Sequence, residues 1–219
     1  MTQQRILEHA SGTASHSEVE ALEHRCLFAG NVAVFVDPAT GVVQVIGDRM
    51  SNKIQVALVG DGFDYEVRGL NGTTVNDVTS AIFPVGGSGT SPFYVTMGNG
   101  HDLVKWDAGF FGDVTIRTGS GDDKVTMWAS NVGNLIISTG NGNDHVNLQS
   151  GLDVFADLNV NTGNGSDTIT LPPPPMDLLP TVRVTGAATL DGGRGGDLLI
   201  GEFSSVGGTE TTRHIETLA

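Results

Sequence analysis

A chain of 219 residues with 25 acidic and 11 basic side chains carries a formal charge of −14, which excludes nucleic acid and anionic membrane surfaces and favours cations wherever carboxylates cluster. Glycine, at 31 residues, has about twice its usual share, yet apolar residues still make up 38%, so the chain is not disordered by composition. No apolar run approaches the roughly 20 residues that span a bilayer, and the single cysteine, Cys26, excludes an intrachain disulfide and a cysteine-based zinc cluster.

In chain order, residues 1–30 differ in kind from the rest. They lack the continuous apolar core of an ordinary secretion signal. "SEVEALEHRCLF" opens with a capping-box pair, Ser17 and Glu20, and places Val19, Leu22 and Cys26 at helical spacing. This predicts a short helix or a disordered segment that sorts the chain or covers the first coil. From residue 31 onward the pattern is β. "VVQVIGDRMSNKIQV" at 42–56 has Val43 and Val45 before a turn, then Asn52, Ile54 and Val56. "GDGFDYEV" at 60–67 keeps Gly60, Gly62 and Asp64 but fits the upstream register poorly. The stretch 77–92 reads as an insertion.

Four clean copies of one sentence follow. Gly98, Gly119, Gly140 and Gly163 are spaced by 21, 21 and 23 residues, and each is followed by Asp102, Asp123, Asp144 or Asp167. Two residues after each Asp stands Val104, Val125, Val146 or Ile169; two further on stands Trp106, Met127, Leu148 or Leu171. Upstream of each Gly the alternation repeats, as in Ile116 and Val114 or Ile137 and Leu135. Four consecutive prolines cannot join a central sheet, so 171–180 is a loop bulging from the coil. "DGGRGGDLLI" at 191–200 resumes the sentence with Gly193, Gly195 and Asp197.

Period-two alternation on both sides of a glycine corner predicts strand, tight corner, strand and a looser return. One unit cannot bury its apolar face alone, whereas stacked units can. The expected fold is all-β: a right-handed, single-stranded parallel β-helix, or β-solenoid, of about 21 residues per coil over residues 31–219. An immunoglobulin-like sandwich accounts for the alternation but not for the fixed corner and step.

The glycines follow from the positive φ that a tight corner demands. The recurring Asp does not, because Asn or Ser would serve the turn equally. Carboxylates stacked one strand spacing apart, near ~4.8 Å, repel unless something positive lies between them. No Lys or Arg column accompanies them. A hard cation with oxygen ligands solves this, and calcium accepts six to eight oxygens in flexible geometry; a metal-free Asn/Asp ladder is the alternative.

"GGRGGDLLI" at 192–200 resembles the G-G-x-G-x-D-x-U-x nonapeptide of repeats-in-toxin calcium-binding β-rolls. The resemblance implies calcium between stacked corners, with Asp102, Asp123, Asp144, Asp167 and Asp197 as carboxylate donors. Gly98, Gly100, Gly119, Gly121, Gly140, Gly142, Gly163, Gly165, Gly193 and Gly195 would shape the ion-holding loops. The first Gly of the nonapeptide is replaced by Met97, Thr118, Thr139 and Thr162, and the motif marks one corner per coil where the family's shorter coils carry two. "VEALEHRCLFAGNV" at 19–32 is similar to the LEPR-XLL segment of planctomycete surface and exported proteins, through Leu22, Glu23, Arg25, Leu27, Phe28, Ala29 and Gly30. "GLNGTTVND" at 69–77 is also like segments of those proteins. This resemblance implies secretion or cell-surface display.

Some β-helices act on polysaccharides, but such chemistry needs converging acids and bases, often with Arg or Lys. Here the carboxylates repeat coil after coil, and Lys53, Lys105 and Lys124 are the only lysines. His101 and His145 are expected to face solvent. Trp106 belongs to the apolar column, while Trp128, Phe110 and Phe111 are candidates for a surface contact. The expected function is non-enzymatic: a calcium-binding structural, adhesive or spacer module whose other partners are surface glycans or surface proteins. A carbohydrate-active β-helix is the alternative.

Overall fold

The computed structural model describes residues 30–60, 64–84, 91–109, 112–128, 130–172 and 182–218. The expected N-terminal helix, the "GGSGT" part of the first insertion, Gly62, the proline run, and Phe110 and Phe111 lie outside the described residues. Within them all regular structure is β, and there is no helix. The N-terminal part carries β1 (Asn31–Val36), β2 (Val43–Ile46), β3 (Lys53–Val59), β4 (Asp64–Gly69), β5 (Thr74–Val75) and β6 (Ser80–Pro84). Next come β7 (Phe93–Asn99) and β8 (Leu103–Asp107), then β9 (Val114–Ser120), β10 (Lys124–Met127) and β11 (Asn131–Val132). The same triplet recurs as β12 (Leu135–Asn141), β13 (His145–Leu148) and β14 (Asp153–Val154), and as β15 (Leu158–Asn164), β16 (Thr168–Thr170) and β17 (Arg183–Val184). It recurs once more as β18 (Ala188–Asp191), β19 (Leu198–Ile200) and β20 (Ser205–Val206), before β21 (Glu210–Arg213) and β22 (Glu216–Leu218).

Like strands of successive triplets pair in parallel and in register. In the first sheet Val95 lies opposite Ile116, Ile116 opposite Ile137, and Ile137 opposite Val160. In the second, Val104, Val125, Val146, Ile169 and Leu199 form one file. A third sheet of two-residue strands, β11, β14, β17 and β20, aligns Val132, Val154, Val184 and Val206. The return between motif copies was expected to be loose. It holds this extra sheet, because one apolar residue per repeat suffices to close the third side of the core.

The alternation decides which face is buried. In β12, Leu135, Ile137 and Thr139 point inward while Ile136 is exposed. Apolar files from all three sheets meet in one continuous core. Near its N-terminal end Phe93 stands edge-on to Trp106, with ring centroids 4.8 Å apart, and Tyr65 stands edge-on to Phe93 at 5.7 Å. The Trp106 indole N–H donates to the Ala108 carbonyl at 3.0 Å, so this buried ring leaves no polar atom unpaired.

Upstream of β7 the strand directions change. β1 and β2 are antiparallel, as are β3 with β4 and β4 with β6. Short turns enforce this: the Asp37 N–H donates to the Val42 carbonyl at 2.9 Å, closing the β1–β2 hairpin. Such a connection cannot produce a parallel pair. Part of the expected 77–92 insertion is also strand, since β6 joins the second sheet.

Candidate functional site

The glycine corner joins the first sheet to the second. All ten motif glycines, from Gly98 and Gly100 to Gly193 and Gly195, have positive φ. Gly121 shows why nothing else fits. Its φ is +126°, and a Cβ there would lie 1.9 Å from the carbonyl oxygen of Gly100 in the preceding corner. Successive corners are therefore in direct main-chain contact.

The five motif aspartates come together as one internal column, each 4% exposed or less. The N–H of Asp102 donates to Oδ1 of Asp123 at 2.8 Å, that of Asp123 to Asp144 at 2.8 Å, that of Asp144 to Asp167 at 2.8 Å, and that of Asp167 to Asp197 at 2.9 Å. Asn52 stands where the degenerate copy predicts and adds the first rung, donating its N–H to Asp102 Oδ1 at 2.6 Å. The other carboxylate oxygen, Oδ2, is buried without a hydrogen-bond partner in all five aspartates. Burial pushes up the carboxyls of Asp123, Asp144 and Asp167, and that of Asp102 to about 7.

Thr118, Thr139 and Thr162 are the departures from the nonapeptide, and all three are fully buried. Each hydroxyl donates to a main-chain carbonyl of the next corner, those of Thr139, Thr162 and Gly192, at 3.1–3.2 Å. Each also stands close enough to the aspartate of its own corner to offset part of the burial effect on Asp123, Asp144 and Asp167. Asp102 lacks this neighbour, because the equivalent position is Met97.

A second column runs outside the first. The N–H of Asp122 donates to Nδ1 of His101 at 2.9 Å, that of Asn143 to Asp122 Oδ1 at 2.8 Å, and that of Ser166 to Asn143 Oδ1 at 2.9 Å. Here the earlier corner accepts; in the aspartate column the later one does. His101 is exposed as expected, but His145 is half-buried on β13, with Nε2 3.1 Å from Thr170 Oγ1. Trp128 is also half-buried. Sequence reasoning missed a third column on the far side of the first sheet, formed by Asp113, Asn134 and Asp157. The Asn134 N–H donates to Asp113 Oδ1 at 2.8 Å and the Asp157 N–H to Asn134 Oδ1 at 3.2 Å. Its signal was available: the three residues follow the motif's own step.

A hard cation along the aspartate column would find one unpartnered carboxylate oxygen per corner, in file. Among the described residues no group of three or more His, Cys, Asp or Glu side chains gathers as a ligand set, so the remaining oxygens would have to come from hydroxyls and the main chain. The raised carboxyls lie inside the core, out of a substrate's reach, and are spread along the stack. Among the described residues no helix is long and apolar enough to cross a membrane. A scan against protein-family models and searches of curated proteins and of solved structures find no match to this chain.

Proposed function

We propose that this chain is a non-enzymatic structural module, a right-handed parallel β-solenoid that is secreted or displayed at the cell surface and serves as a spacer or adhesive unit. The observation that carries this reading is the unbroken aspartate column, a stacking device beside which no catalytic groups converge among the described residues. The resemblance of residues 19–32 to surface-protein segments supports export, and the glycine-aspartate corners support calcium as the ion. The residues that would hold it are Asp102, Asp123, Asp144, Asp167 and Asp197 through Oδ2, together with oxygens of the corners that Gly98 to Gly195 shape. Calcium there would supply the positive charge that stacked, ionised carboxylates lack. The chain contributes a pre-set file of acceptors, each oriented by the N–H bound to its Oδ1. An acidic chain of this kind closes more firmly where calcium is abundant, by mass action.

Asp144→Asn tests this reading. Asn keeps the turn and can still accept the Asp123 N–H, but it carries no charge. With calcium as ligand, millimolar calcium should stabilise the wild type, by about 2.7 kcal/mol at 100 times the dissociation constant, and so raise its melting temperature. Asp144→Asn should then melt lower than wild type in calcium and close to it in chelator. A metal-free ladder predicts a wild-type melt indifferent to calcium and an Asn variant as stable or more so.

A further inference from the structure

The outer face of the first sheet carries a groove of about 480 Å³, within the size range of small-ligand sites. Tyr94, Thr115, Ile136 and Asn159 form its floor and lie opposite one another on four successive strands. Arg117, on the same face two residues beyond Thr115, projects from the exposed side of β9. The far wall is the third column, Asp113, Asn134 and Asp157.

That wall is held rigidly. Asn134 is bonded to Asp113 through both its main-chain and side-chain N–H groups, and Asp157 Oδ1 accepts the Ala187 N–H at 2.8 Å. Each of the two aspartates thus spends Oδ1 on the fold and turns an exposed carboxylate to solvent with Oδ2 unengaged among the described residues. The Arg117 guanidinium likewise forms no hydrogen bond or ion pair there. Tyr94, 39% exposed, offers a ring face beside them. The groove therefore combines polar groups that recur at the ~4.8 Å strand spacing along the wall with one five-donor fork and one aromatic surface.

We propose that this groove binds a linear, uncharged polysaccharide strand laid across the first sheet, along the stacking direction. Sugar hydroxyls would donate to Asp113 and Asp157 and accept from Arg117, while a ring face rests on Tyr94. Charge selects the neutral class: two carboxylates against one guanidinium, on a chain of −14, repel a polyuronate. The proposal supplies the adhesive reading with a ligand class but does not depend on the aspartate column.

Affinity electrophoresis through gels containing hydroxyethylcellulose, galactomannan or polygalacturonate tests it. Wild-type protein should be retarded by at least one neutral polymer and not by polygalacturonate. Tyr94→Ala and Arg117→Ala, both surface changes, should weaken the retardation at least tenfold with an unchanged melting temperature. Migration unaffected by both neutral polymers would overturn the proposal, as would equal retardation of Tyr94→Ala or preferential retardation by polygalacturonate. A failure of the calcium melt with glycan retardation preserved would count against the metal alone.

Discussion

Asp102 concentrates the chemistry of the column. It is buried, it takes the Asn52 N–H on one oxygen, its other oxygen is unpartnered, and the threonine that accompanies Asp123, Asp144 and Asp167 is Met97 here. A carboxyl raised by burial from its ordinary value of 3.8 to about 7 is protonated in the folded chain over a window where the unfolded chain has lost that proton. The folded state then binds more protons, so stability falls as pH rises through that window. In chelator, the melting temperature should decline from pH 5 to pH 8, and Asp102→Asn should flatten the decline. The half-buried His145, whose pKa burial lowers, contributes the opposite slope near neutrality, which is why the comparison between wild type and variant carries the test. Calcium along the column would favour the ionised form and should shrink the pH dependence of the wild type. Thermal melts across pH, with and without calcium, read both effects.

At the scale of the element, the corner tolerates change very unevenly. Gly121→Ala puts a methyl group against the Gly100 main chain at positive φ, so it should cost more than the ~1–3 kcal/mol of a strained backbone alone. Gly196→Ala, in the same kind of corner, meets only Ser166 Oγ at 3.9 Å, and should be neutral within ~0.5 kcal/mol. Urea denaturation of the two variants separates them. The corner was legible in the sequence because glycine, aspartate and the flanking apolar residues recur at one step, and Asn52 could be placed from its neighbours alone. The third sheet was not legible: Asn131–Val132 and Asp153–Val154 are too short to show a period. Nor were the N-terminal hairpins, since Val43 and Val45 alternate identically in parallel and antiparallel strands. The threonines looked like departures because a consensus records residue types and not the hydroxyl bonds that Thr118 and Thr139 make to the next corner.

Across the whole molecule, each strand of the parallel region is held by its neighbours on either side, as in other stacked repeats. Amide exchange should therefore be slowest in β9, β12 and β15, which have partners on both flanks and the most continuous core, and faster toward the edge strands β5 and β21. A mass-spectrometric exchange map with equal protection at the ends and the centre would contradict this. The two corner columns give the stack a further property through their opposed polarity. A finished corner shows its successor a free N–H on the inside and a free acceptor on the outside, as Asp123 N–H and Asp122 Oδ1 do for Asp144 and Asn143. The exposed end is thus a template with one donor and one acceptor already in place, and the opposite end shows the same two kinds of group with inside and outside exchanged. Pairing from the N-terminal side lays each new repeat on a prepared surface, so a chain delivered N-terminus first through a narrow exit could fold vectorially, repeat by repeat, without waiting for the remainder.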